Sequence, residues 1–114
     1  MPWIVAGDFN EILSNDEKEG QRLRAQSQLD NFRQALDECA LMDLGFVGPK
    51  FTWNNGRAGE DHVRERIDRG ICNKEWRDLF PMVRVHHLTS SVSDHRPLLL
   101  ENSTIPNPTN TRKK

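Results

Sequence analysis

The sequence predicts an α/β or α+β protein, a small β-sheet with helix packed on one face. Three observations predict it. Runs with strand composition or strand period occur near residues 3–6, 51–53, 66–71, 82–92 and 98–100. One stretch has helical period, with Leu29, Phe32, Leu36, Cys39 and Ala40 on a single stripe. The chain has 114 residues, the length of one small domain.

The elements follow in order. Pro2-Trp3-Ile4-Val5-Ala6-Gly7 is an apolar run bounded by Pro2 and Gly7, the pattern of a short buried strand. Asp8 and Asn10 close it, one residue apart, and strand alternation would project them together. In α/β folds that end of a strand is where ligands bind. Gly, Asp and Asn are also ordinary turn residues, so a polar turn and a site both remain open here. Residues 11–25 carry the charge run Glu17-Lys18-Glu19-Gly20-Gln21-Arg22 and read as a solvated loop or as a substrate-contacting one.

A helix follows. Ser27 suits an N-cap, and Asp30 falls in the first turn, where an acidic group complements the helix dipole. Asn31, Arg33, Gln34, Asp37 and Glu38 face the other way; residues 41–44 continue the apolar character, and Gly45 is the expected stop. Phe51-Thr52-Trp53 has strand composition, and Asn54-Asn55-Gly56 is a hairpin-type turn signal. In residues 66–71, Ile67, Arg69 and Ile71 alternate with Arg66, Asp68 and Gly70, placing Asp68 on the less apolar side. Asn73 caps a short helix over 74–80 that ends before Pro81. Residues 82–92 alternate as a strand, Ser93-Asp94-His95-Arg96-Pro97 reads as a polar loop, and Leu98-Leu99-Leu100 as a short strand. From Asn102 on, the Asn, Thr, Pro and basic residues read as a disordered tail over 102–114.

Composition narrows the function classes. Hydrophobic residues make up 35% of the chain, enough for only a lean core. With 16 basic and 17 acidic residues the net charge is −1, which removes a simple basic-patch argument for nucleic-acid binding but leaves room for a local groove. Cys39 and Cys72 are too far apart for a metal-binding pair and suggest no disulfide framework; they read as small buried residues or free thiols of a reducing compartment. The expected location is therefore intracellular, with nucleus and cytoplasm not distinguished. No apolar run reaches the ~20 residues of a membrane span, and none resembles a signal peptide. Met1 leads at once into a central-looking strand, from which an upstream segment is expected.

Three polar clusters carry candidate chemistry: Gly7-Asp8-Phe9-Asn10, Arg66-Ile67-Asp68, and Ser93-Asp94-His95-Arg96-Pro97. A carboxylate can orient an imidazole by accepting its second ring hydrogen. Each cluster alone is a weak signal. In this order, and with Gly-Asp-Phe-Asn-Glu-Ile-Leu, Phe51-Thr52-Trp53-Asn54, Arg66-Ile67-Asp68-Arg69 and Ser93-Asp94-His95-Arg96-Pro97-Leu98 as local wording, they resemble the endonuclease/exonuclease/phosphatase superfamily. The resemblance covers residues 2 to about 101 and is to the carboxyl-terminal half of deoxyribonuclease I-like domains, nearest to those of plant non-LTR (LINE-type) retrotransposons.

The resemblance implies half of a four-layer α/β/β/α sandwich, residues 1–101, and Mg²⁺- or Mn²⁺-dependent hydrolysis of a DNA phosphodiester. It implies that Asp8 aligns or deprotonates the attacking water and that Asn10 holds the water or the scissile phosphate. His95 would contact a non-bridging oxygen, Asp68 would orient His95, and Asp94 would ligate the metal or support a ligand. Trp53 and Asn54 would lie near the substrate, although a core Trp and a plain turn are equally open for that stretch. In full-length relatives a reverse transcriptase is covalently linked. Complete members draw an Asn and the main metal-binding Glu from an amino-terminal half that has no match here, so a truncated nuclease of weak or no activity is expected. A small intact phosphoesterase and a non-catalytic nucleic-acid-binding fragment are the alternatives.

Overall fold

The computed structural model describes residues 1–90 and 93–102. The chain is mixed α+β, with two α-helices and three small antiparallel sheets among the described residues. The first sheet has the order β1 (Ile4–Asp8), β6 (Asp68–Asn73), β3 (Leu41–Asp43). The second pairs β2 (Lys18–Glu19), β5 (Arg64–Glu65) and β4 (Trp53–Asn54), and the third is the hairpin of β7 (Val83–His87) and β8 (Leu98–Asn102).

β6 is the organising strand. It is flanked by β1 and β3 and covered on both faces, so all but its last residue are buried. Residues 66–72 are all buried, Asp68 included, so the run does not split into an apolar and a more polar side as expected; Ile67, just before β6, joins Ile12 and Leu29 in a core cluster against which Trp53 packs. On the other face Gly70 admits β7: a Cβ there would lie 3.0 Å from Val85 Cγ2 and 3.3 Å from Leu44 Cδ1. A glycine in a strand interior marks such close approaches.

β1 forms where expected but not as a buried central strand. It is an edge strand with Val5 and Ala6 exposed, because only β6 pairs with it among the described residues. The first helix, α1 (Gln26–Glu38), is capped by the backbone of Ala25, leaving Ser27 inside its first turn without a capping role. Its buried contacts are Leu29 and Leu36, with Phe32 half-buried. The stripe does not reach Cys39 or Ala40, which are exposed: Ala40 turns the chain at φ 55°, and residues 41–43 form β3 instead of more helix. The second helix, α2 (Lys74–Leu79), is capped as expected, with Asn73 Oδ1 accepting from the Trp76 N–H at 3.0 Å.

Asn54-Asn55-Gly56 begins a nine-residue excursion from β4 to β5, not a tight hairpin. Asn55 closes it, accepting from Arg57 and Val63 N–H and donating to the Asp61 carbonyl. β7 ends at His87; residues 91 and 92 of the expected strand lie outside the described residues, as does the tail beyond Asn102, which itself ends β8. No helix among the described residues is long and apolar enough to cross a membrane.

Candidate active site around His95

The register of β1 on β6 sets Asp8 directly opposite Asp68. Like charges at opposed positions repel unless something lies between them. Here it is His95, carried by the segment that leads into β8. Its Nδ1 is 2.8 Å from Asp68 Oδ2, and its Nε2 is 3.9 Å from Asp8 Oδ2. The Asp68 carboxyl is nearly buried, whereas Asp8 and His95 are open to solvent on one side. Burial opposes a charged ring at His95. The hydrogen bond and charge of Asp68, aided by Asp8 and Asp94, outweigh it and hold the His95 pKa above its ordinary 6.5. An Nδ1–H given to Asp68 leaves Nε2 facing Asp8 Oδ2.

Asn10 is exposed beyond the strand end at φ 57°, an αL position that Asn tolerates. Its N–H donates to Asp8 Oδ1 at 2.7 Å, a local turn that fixes the carboxylate. The polar turn is therefore present, and it holds the Asp8 carboxylate beside His95. Arg24 braces it by donating to the Asn10 carbonyl at 3.2 Å and to Glu11 at 2.8 Å while gripping both oxygens of Glu65.

Asp94 stands apart from this group. Its side chain is exposed, and the cluster of possible metal donors within 4.8 Å of one another consists of Asp8, Asp68 and His95. Asp94 instead borders a cleft of about 120 Å³ with Trp53, Asn54, Arg64, Ser93 and Arg96. The backbone of Asn54 donates to the Asp94 carbonyl at 3.1 Å. Trp53 packs on the core and also borders the cleft. His62, His86 and His87 stay outside the site; His86 bonds Glu101, and the buried His87 bonds the Pro49 carbonyl.

As a donor set for a divalent cation the group is sparse, two carboxylates with the His95 ring between them. Asp8, Asp68 and His95 each bring one donor atom within 4.8 Å of the others, but Asp68 Oδ2 is engaged by His95 Nδ1 and Asp8 Oδ1 by the Asn10 N–H. Mg²⁺ is commonly held by one or two carboxylates with water and substrate phosphate completing its shell. Glu11 adds nothing, because its carboxylate is turned to Arg24.

Sequence reasoning missed a second set of charged residues that supports the site from behind. Glu17, placed in the solvated loop, is buried, as are Arg66 and Arg69. Glu17 accepts from Arg66 Nη1 and Arg69 Nη2 at 2.7 Å each, and Asp43 accepts from the same two arginines at 2.8 and 3.0 Å. This cluster pins the loop after β1 against the start of β6. The available signal was Arg69 itself, a cation on the apolar face of a strand, which requires a buried partner. No protein-family model, no curated protein and no solved structure matches the chain.

Proposed function

We propose that this chain carries the histidine-bearing part of a DNA phosphodiesterase site, of the LINE-type retrotransposon endonuclease kind, on the carboxyl-terminal half of a deoxyribonuclease I-like sandwich. The observation that carries the reading is the line Asp68–His95–Asp8, at 2.8 and 3.9 Å. Asp8 accepts a proton from the attacking water, and Asn10 steadies that water or a phosphate oxygen through its amide. His95, its charged form favoured by Asp68, donates from Nε2 to a non-bridging oxygen where charge develops. A divalent cation held through the Asp68 carboxylate, with water and substrate phosphate completing its shell, would supply charge neutralisation at the phosphate when bound. Lys50, Arg64 and Arg96 line the adjoining cleft with Asp94, Lys50 and Arg64 being paired with Asp16 and Glu19 at the surface, and these cations would meet the DNA backbone. With so few oxygen ligands, turnover by this chain is weak or absent, and DNA is the partner that this reading implies.

Supercoiled plasmid incubated with the purified chain and Mg²⁺ or Mn²⁺ tests this reading. Slow nicking that disappears in Asp8→Ala and His95→Ala supports it; nicking unchanged in both variants overturns it. DNA binding without cleavage at any metal concentration would favour a non-catalytic binding module, and absence of both an inert one.

A further inference from the structure

Thr52 is fully buried, and its polar groups are fully used. Oγ1 accepts from the N–H of Ile67 and from the N–H of Asp68, both at 3.0 Å, and donates to the Glu65 carbonyl at 3.5 Å. Those contacts fall where the chain leaves β5 and enters β6, a break that leaves two consecutive buried N–H groups without a sheet partner. Buried donors of this kind need an acceptor, and a hydroxyl has two lone pairs to offer. On its other side, the Thr52 carbonyl accepts from the Arg96 N–H at 2.7 Å. One residue thus holds the backbone beneath Asp68 and the backbone next to His95.

We propose that Thr52 is the positioning residue of the Asp68–His95 pair, its hydroxyl setting the Asp68 carboxylate at hydrogen-bond distance from the imidazole. The inference rests on the catalytic reading of that pair, but its test needs no turnover. Valine has the shape of threonine without the oxygen, and serine keeps the oxygen. Two signals are followed by NMR in the full chain: the His95 Nδ1–H proton shared with Asp68, and the exchange protection of the Ile67 and Asp68 amides.

Thr52→Val is expected to lose or shift the His95 signal and to lower protection of both amides by about tenfold or more. Thr52→Ser is expected to keep both. Asp68→Asn is the reference for a broken pair. Loss of the His95 signal in Asp68→Asn but not in folded Thr52→Val overturns the role of Thr52 alone. A His95 signal unmoved by Asp68→Asn overturns the pair itself, and the functional reading with it. If Thr52→Val does not fold, Thr52→Ser decides: both signals retained supports the proposal, and loss of either overturns it.

Discussion

Replacing Glu17 by glutamine should remove a large part of the stability of this protein. The carboxylate accepts from Arg66 Nη1, Arg69 Nη2 and the Leu13 N–H at 2.7, 2.7 and 2.8 Å. Arg69 is wholly buried and Arg66 nearly so, and after the change Asp43 alone would face both guanidinium groups. The new amide also turns an NH₂ toward arginine donors. Breaking a buried pair by removing one charge costs about 3–5 kcal/mol, against a total of about 5–15 kcal/mol for a domain. At roughly 4 °C or more per kcal/mol for a chain of this size, the melting temperature should fall by about 12 °C or more. Urea denaturation followed by tryptophan fluorescence measures the loss, Trp53 being packed on the core. Glu19, two residues on and paired with Arg64 at the surface, is the control; Glu19→Gln should stay within about 0.5 kcal/mol. A Glu17→Gln loss as small as the control would refute the buried cluster and restore the solvated loop.

Gly20→Ala should be destabilising by about 1–3 kcal/mol in the same assay, since the new Cβ would lie 2.1 Å from the His62 carbonyl at a φ of +97°; a neutral result would contradict the packing of loop 55–63 on Gly20. The two histidines should act in opposite senses on stability. Burial lowers the pKa of His87 below 6.5, so its contribution is complete above 6.5 and is lost as pH falls through the folded value. The His95 pKa is raised above 6.5, so its contribution is complete below 6.5 and is lost as pH rises through the folded value. In urea midpoints plotted against pH, His87→Phe should soften the decline below 6.5 and His95→Gln the decline above 6.5; unchanged slopes would contradict both assignments.

The elements governed by local chemistry were legible: the β1 run, the cap of α2 by Asn73, and the alternation of β7. What depended on long-range pairing was not. The helix stripe ran on to Cys39 and Ala40 because apolar spacing carries no stop signal at an αL alanine, whereas β3 takes residues 41–43 through its ladder to β6. The charge run hid Glu17, because nothing local distinguishes a carboxylate facing water from one facing Arg66 and Arg69. The site was legible as residue types, yet one of the arguments for it fails. Asp8 was placed by a rule for parallel sheets, but the sheet is antiparallel, and the cross-strand register to Asp68 is what puts Asp8 beside His95. Asp94 was grouped with His95 by adjacency in sequence, and the structure places its side chain outside the donor cluster, at the border of the cleft.

The central claim is that Asp8, Asp68 and His95 address a DNA phosphodiester. Titrating a short DNA duplex with Mg²⁺ into the labelled chain, and following the His95 ring and the residues around Asp8 by NMR, tests it most directly. The account predicts that His95 Nε2, Asp8 and Asn10 shift first, together with Trp53 and Asn54, and that Asp8→Ala weakens the response. Binding that perturbs other surfaces while these residues stay unmoved would contradict it.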